Sequence, residues 1–215
     1  LERANLAGCK VYGISAWNLK LNGAKQNNLI ITKSYEPAIS VDSLEVAQFI
    51  YLLLNHKKIR DVIKSVTERG VLILGRFGDG GLEVLQSIAA KLREMEYLPI
   101  IFDFDRPDDK NYTETVKTLV GLSRFVVADL SGPSVPHELY ATVPHFKIPF
   151  IPVIEESRTP YSMHKDILEY PWVLSPVVEF KDKEHLIELI PSRVIEPAER
   201  MCKERQDKLD HLFNS

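Results

Sequence analysis

The chain has 215 residues, 45% of them hydrophobic and 27% charged, which is an ordinary composition for a globular protein with a sizeable core. Its formal net charge is −3 at pH 7, and Lys and Arg form no long run. This balance argues against the basic surfaces typical of proteins that bind nucleic acid or membranes, so we expect neither as a partner.

The cysteines and the first residues set further bounds. Cys9 and Cys202 lie near opposite ends of the chain without metal-ligand spacing, which predicts no metal site and no disulfide framework. No apolar run approaches the roughly 20 residues of a membrane span. We therefore expect a cytoplasmic protein. Because the chain starts at Leu1 without an initiator Met or a signal pattern, we expect a fragment of a longer protein.

Residues 1–33 carry a repeat of period five. Two rows of mainly apolar residues are visible at this spacing: Ala4, Cys9, Ile14, Leu19, Ala24, Leu29 and Leu6, Val11, Ala16, Leu21, Gln26, Ile31. The pattern resembles the pentapeptide-repeat family, whose A-N/D-L-x-x units wind into a square β-helix, and Ala4-Asn5-Leu6 fits that unit in full. The resemblance implies the remnant of a β-helix at the end of a repeat array. The alternative is an irregular amphipathic arm.

Residues 34–69 read as a helical connector. Asp42 is the predicted N-cap of a first helix, with Glu45 three residues later, and Gly70 is the predicted C-cap of a second helix. Residues 70–215 alternate apolar strands with helices and end in one long helix from Lys183 to Leu212. Five strands in this rhythm predict an α/β fold with a flavodoxin-like parallel sheet.

Two loops that follow predicted strands are candidate ligand sites. The first, Gly75 to Gly81, is rich in glycine and contains Arg76, Phe77 and Asp79; Arg76 suits a phosphate and Phe77 suits an aromatic ring. The alternative is a flexible turn.

The second loop, Asp103 to Asp109, begins Asp103, Phe104, Asp105, Arg106. Its acids suit a ribose hydroxyl or a cation, and Phe104 suits a base. The alternative here is also a turn.

Glu138 is the candidate for chemistry. It follows a strand, a turn that contains Asp129 and Ser131, and the start of a helix, so it is expected beside the crevice at the carboxyl ends of the strands. The alternative is that its charge only complements a helix dipole.

The chain from Gly70 to Phe180 resembles the Toll/interleukin-1 receptor (TIR) domain. The resemblance is carried by the strand ending in Asp103, by Ser123-Arg124 at the start of a strand, and by Glu138-Leu139. It implies that Glu138 is the catalytic acid of the members that cleave NAD. The family's aromatic-Ser pattern and Trp-Cys pair are replaced here by Arg76-Phe77 and Pro136-His137.

A second resemblance is to the nucleoside 2-deoxyribosyltransferases. Asp129-Leu130-Ser131-Gly132-Pro133 followed by Glu138-Leu139 is similar to their pattern, in which an Asp and a Glu hold and attack the sugar.

The resemblances imply an NAD nucleosidase in a bacterial signalling or defence setting, with NAD as substrate rather than cofactor and with self-association through the TIR-like domain and repeat array. Two alternatives remain: a non-catalytic module for self-assembly or nucleotide sensing, and a deoxyribosyltransferase-like N-ribosyl hydrolase.

Overall fold

The computed structural model describes residues 1–75, 80–103, 112–131, 134–158 and 164–213. Within them the chain divides into two compact units, an amino-terminal unit from Leu1 to Lys64 and a carboxyl-terminal unit from Ser65 to Ser215. None of the helices in these ranges combines the length and hydropathy that a bilayer crossing requires.

The first thirty residues follow a regular path. Positive φ angles recur at every fifth residue: Arg3, Gly8, Gly13, Asn18, Gly23 and Asn28. Parallel bridges join Asn5 to Lys25 and Lys10 to Ile30, so the chain returns to pair with itself after twenty residues. Among residues 1–28, every side chain that is not exposed belongs to one of the two apolar rows, although Cys9 and Leu19 in those rows are exposed.

Polar side chains connect this path to the first helix. Strands β1 (Leu29–Ile30) and β2 (Ser40–Val41) form an antiparallel pair, and helix α1 (Leu44–Asn55) follows. Gln26, the polar exception in its row, accepts a hydrogen bond from the Leu44 N–H at 2.9 Å. The buried Gln48 accepts one from the Ala16 N–H at 2.5 Å.

The predicted N-cap in this region is wrong. The N-cap of α1 is Ser43, whose hydroxyl accepts from the Val46 N–H, because the Asp42 carboxylate instead accepts from the Asn28 N–H at 2.8 Å. Helix α2 (Lys57–Arg69) ends directly before Gly70, where the sequence predicted its end, and a strand starts at Gly70 itself. Gly70 is needed there because a Cβ would overlap the carbonyl oxygen of Val66.

The carboxyl-terminal unit is an α/β fold with five parallel strands in the order β4-β3-β5-β6-β7. In chain order its elements are β3 (Gly70–Gly75), α3 (Gly81–Glu94), β4 (Leu98–Asp103), α4 (Tyr112–Gly121), β5 (Phe125–Asp129), α5 (Ser134–Thr142), β6 (Phe150–Glu155), α6 (His164–Leu168), β7 (Val178–Phe180), α7 (Lys183–Leu189) and α8 (Glu196–Phe213). Counted within the unit, this is the strand order 2-1-3-4-5 of flavodoxin-like folds. The predicted sheet is therefore confirmed.

Alternate residues of the central strands pack into two separate cores. Val71, Ile73 and Val127 pack against helices α3, α7 and α8 on one face of the sheet. Leu72, Leu74 and Val126 pack against α4 and α5 on the other. Strands covered on both faces are apolar throughout, which explains why β3 and β5 read as continuous hydrophobic runs in the sequence.

Two predicted boundaries change near the end of the chain. The last strand covers Val178–Phe180 rather than the whole of 173–180, because Pro176 carries no N–H for a ladder. The expected single helix from Lys183 to Leu212 is interrupted by a π-helical segment, Ile190–Ile195. Pro191 lies in this segment, and its missing N–H breaks the regular helical hydrogen-bond pattern.

Candidate functional site

The strand order defines where a ligand crevice is expected. The chain first passes from β3 to β4, which lies on one side of β3, and then from β4 to β5, which lies on the other side of β3. The strand order therefore reverses between β3 and β5. In open α/β sheets, ligands bind outside the carboxyl ends of the strands at such a switch point. We call the carboxyl ends of β3 to β6 the carboxyl edge.

Acidic residues end three of the four strands at the carboxyl edge. Asp103 is the last residue of β4, Asp129 of β5 and Glu155 of β6, whereas β3 ends in Gly75. The register aligns Gly75 with Asp103, and Asp129 with Val153. Three of the four strand ends at this edge therefore carry an acid.

Asp129 is the best-defined side chain of the carboxyl edge. It is only 7% exposed, and its Oδ1 accepts a hydrogen bond from the Ser131 N–H at 3.0 Å. Burial raises the pKa of its carboxyl above the ordinary value, and repulsion from Glu155 acts in the same direction. Hydrogen bonds from Ser131 and the charge of Arg158 partly offset this rise. Asp129 is thus a buried acid that holds a proton more readily than an exposed one.

Ser131 links Asp129 to the neighbouring strand. Its hydroxyl oxygen accepts a hydrogen bond from the Glu155 N–H at 3.2 Å, and the Leu130 N–H donates to the Val153 carbonyl at 2.9 Å. The turn after β5 is therefore fixed to the end of β6. Glu155 in turn pairs with Arg158 at 3.5 Å between Oε2 and Nε, and both side chains are partly exposed.

The residues predicted from the sequence fall into three groups. Asp129 and Ser131 lie together at the carboxyl edge. Asp103 and Glu138 are placed in β4 and α5, and their side chains lie outside the description. The remaining predicted site residues lie outside the described residues altogether: Arg76, Phe77, Asp79, Phe104, Asp105 and Arg106.

The position of Glu138 follows from helix α5. Val135, Leu139 and Thr142 are buried on one face of this helix. Position 138 lies in the same helix, directly before Leu139. The helix itself starts five residues after Asp129, at Ser134.

Two glycines of the predicted phosphate loop have structural roles. At Gly75 a Cβ would overlap the side chain of Leu85, so this glycine permits close packing of α3 on β3. Gly80, just before α3, has a φ of +82°. Both observations concern only the two ends of the loop, and phosphate binding by the loop stays a prediction.

The sequence analysis missed Glu155 and Arg158. The signal was available, because Glu155 closes an apolar strand in the same way as Asp103 and Asp129. Across the described ranges, no three His, Cys, Asp or Glu side chains are grouped so that they could hold a metal ion.

A second polar cluster lies at the opposite, amino-terminal end of β5. The guanidinium of Arg124 makes two hydrogen bonds to Glu199 of α8, at 2.7 and 2.5 Å, and the Tyr97 hydroxyl donates to the same carboxylate at 2.8 Å. Arg124 lowers the pKa of Glu199, whereas burial and the Glu199 carboxylate raise that of Tyr97. This cluster fastens α8 to the sheet.

Comparisons with known proteins add little to this geometry. The sequence matches no protein-family model, and no curated protein matches it. A solved structure that matches is the sugar isomerase domain of the RpiR transcription factor from Sphaerobacter thermophilus, with 9% identity and a TM-score of 0.39 over 78% of this chain and 98% of that chain. A likeness this distant carries no argument about the site.

Proposed function

We propose that the carboxyl-terminal unit is a TIR-like NAD nucleosidase that releases nicotinamide, in a bacterial signalling or defence setting. The observation that carries the proposal is the buried Asp129 at the switch point of a flavodoxin-like sheet, followed by a helix that contains Glu138. Buried acids with a shifted pKa are concentrated at catalytic sites. A carboxylate pair beside a crevice also suits glycosidic chemistry.

The reaction breaks the bond between C1 of the ribose and the pyridinium nitrogen of nicotinamide. The bonding electron pair leaves with nicotinamide, which becomes neutral, and positive charge develops on the ribose. Water then adds to C1 and loses a proton, so the products are nicotinamide, ADP-ribose and a proton. In this scheme Glu138 stabilises the developing cation, as carboxylates do in glycoside hydrolysis.

Asp129 has a different role in the proposal. Its carboxyl group can form a hydrogen bond with a ribose hydroxyl, and the hydrogen bond from the Ser131 N–H keeps that carboxyl in one orientation. Asp103 and Asp105 are further candidates for binding the ribose, and Arg76 is the candidate for binding the pyrophosphate. Phe77 and Phe104 are candidates for stacking on the rings of the substrate. Arg106 is a further candidate for substrate binding. Asp79 belongs to the same loop as Arg76.

A second candidate function is a deoxyribosyltransferase-like nucleoside N-ribosyl hydrolase. It is favoured by the burial of Asp129 and by its hydrogen bond from Ser131, because Asp129 is one of the two acids, with Glu138, that the second resemblance assigns to the sugar. Under this hypothesis a nucleoside, rather than NAD, is the substrate, and Asp129 matters as much as Glu138.

The amino-terminal unit supports a third candidate, a non-catalytic module for self-assembly or nucleotide sensing. Each coil of a square β-helix has four sides of five residues. Such a coil requires a positive φ angle at every fifth residue and pairing of the chain with itself after twenty residues, and residues 1–30 have both. We therefore include in the proposal that residues 1–33 are the end of a pentapeptide-repeat β-helix. Such coils bury their interior by stacking, which would bring copies of the carboxyl-terminal unit together.

The test is incubation of the protein at high concentration with NAD, and separately with purine and pyrimidine nucleosides, with chromatography of the released base. Glu138→Gln should reduce nicotinamide release at least 100-fold, whereas Glu188→Gln, an exposed acid of α7, should leave it unchanged.

Release of nicotinamide by Glu138→Gln at the parent's rate would contradict the NAD proposal. Cleavage of nucleosides but not NAD, lost in Asp129→Asn, would establish the second candidate. No cleavage of either substrate by the parent, together with assembly of the protein in solution, would favour the third.

A further inference from the structure

A cleft of about 290 Å³ lies at the amino-terminal side of β6, within the carboxyl-terminal unit. Pro149 and Trp172 line one wall, and Met201, Arg205 and Lys208 of α8 line the other. Pro149 directly precedes β6, whereas Glu155 ends it, so the cleft and the carboxyl edge are roughly 20 Å apart along the strand. We call it the α8 cleft.

The walls of the α8 cleft are held in place by hydrogen bonds that do not involve a ligand. The indole N–H of Trp172 donates to the Val143 carbonyl at 2.9 Å, and the Trp172 carbonyl accepts from the Phe150 N–H at 2.8 Å. On the other wall, the paired Arg124 and Glu199 fasten α8 two residues before Met201, where the helix begins to line the cleft. The cleft is therefore preformed, as small-molecule sites usually are.

The lining separates into an apolar floor and a charged rim. Trp172 and Met201 are half-buried and Pro149 is buried, so the floor is apolar and includes a large aromatic ring. Lys147, Arg205 and Lys208 stand at the rim with a single acid, Glu204. Within the described ranges none of the three cations forms an ion pair, so their charge is available to a ligand.

Helix α8 presents these groups together because of its periodicity. Met201, Glu204, Arg205 and Lys208 follow the i, i+3, i+4, i+7 pattern of one helix face. Lys147 approaches from the loop before β6, on a different element. Cations from two elements thus surround one apolar floor.

We infer that the α8 cleft is a second ligand site, which binds a small aromatic anion, its ring against Trp172 and Met201 and its negative group toward Arg205, Lys208 and Lys147. The volume lies close to the lower end of the range of about 300–1,000 Å³ for ligand sites, which suits a molecule of one or two ring systems rather than a dinucleotide. Aromatic stacking and cationic contacts together select such a ligand over a neutral or an aliphatic one. The inference does not depend on the proposed function.

The probe is 8-anilinonaphthalene-1-sulfonate, and its matched control is N-phenyl-1-naphthylamine, which has the same rings without the sulfonate. The chain contains two tryptophans, Trp17 and Trp172, and Trp17 is 72% exposed, so Trp17→Phe leaves Trp172 as the reporter. We expect saturable quenching of Trp172 by the sulfonate and at least tenfold weaker binding of the neutral control.

Two pairs of substitutions on α8 test the rim. Arg205→Gln with Lys208→Gln should weaken sulfonate binding at least fivefold. Arg200→Gln with Lys203→Gln, exposed cations of the same helix outside the cleft, should change it less than twofold. Lys147→Gln removes a cation of the rim without altering α8. It therefore tests the same inference if the helix variants do not fold.

Equal binding of both probes, or equal effects of the two α8 pairs, would overturn the inference. NAD should not displace the sulfonate; displacement would show that the cleft belongs to the nucleotide site and is not a separate one. Because the readout is Trp172 fluorescence, it does not require NAD cleavage, and loss of the proposed activity would leave this result unaffected.

Discussion

The two ends of strand β5 carry charged groups in opposite circumstances. At the amino-terminal end, Arg124 and Glu199 satisfy each other through two hydrogen bonds, and the pKa of Glu199 is lowered. At the carboxyl end, Asp129 is more deeply buried, receives hydrogen bonds from Ser131 and has a raised pKa. The first end is arranged for stability. The second leaves a carboxyl group for which the fold provides no directly contacting cation among the described residues.

The largest expected effect is at the amino-terminal end. Arg124→Ala should lower the free energy of unfolding by about 3 kcal/mol, because it leaves the half-buried Glu199 without its partner. Urea unfolding at pH 7 measures the loss. In a double-mutant cycle with Glu199→Gln, the two single losses should exceed the double loss, and strict additivity would contradict a shared interaction.

A comparable loss of stability is expected at the carboxyl edge, from the backbone at the end of β3. Gly75→Ala should cost about 2 kcal/mol, because its Cβ would overlap the Leu85 side chain in the core between α3 and β3. Thermal unfolding measures it. Gly121→Ala is the control: the nearest side-chain atom to its Cβ would be 3.4 Å away, so its effect should be clearly smaller.

A smaller effect isolates one hydrogen bond of the amino-terminal cluster. Tyr97→Phe removes the hydroxyl that donates to Glu199 and keeps the edge-to-face ring contact with Phe125, at 5.6 Å between centroids. We expect a loss of about 1 kcal/mol in urea unfolding. If Tyr97→Phe is as stable as the parent, the hydrogen bond from the hydroxyl to Glu199 contributes nothing to stability.

The smallest effects are those of pH, and they should differ in sign between the two ends. The raised pKa of Asp129 means that its favourable contribution is present at acidic pH and is lost as pH rises through the folded value. Asp129→Asn should therefore stabilise the protein relative to the parent at pH 7 and not at pH 3. The lowered pKa of Glu199 gives the reverse: Glu199→Gln should destabilise at pH 7, and the difference should disappear as pH falls through the folded pKa.

Unfolding curves of both variants from pH 3 to pH 7 test this contrast. Two curves that move in the same direction would contradict it.

The sheet and the carboxyl edge were predictable because their signals are local. Apolar runs mark strands buried on both faces, and an acid such as Asp129 at the end of such a run marks the crevice. The pairing of Arg124 with Glu199 was not predictable, since 75 residues separate the partners and either charge alone reads as a surface residue. The break at Ile190–Ile195 was missed because the charged helical pattern continues through Pro191. The wrong N-cap has a tertiary cause, the use of Asp42 by Asn28.

Gln26 has a consequence for how such a chain can vary in length. Its amide oxygen accepts the Leu44 N–H, one of the donors that the first turn of α1 leaves without a helical partner. Five-residue units added ahead of Leu1 would leave this bond in place. A unit inserted between Gln26 and Leu44 would carry the glutamine away from its donor. One amide group therefore marks the point after which an insertion of five residues would cost the following helix a hydrogen bond at its first turn.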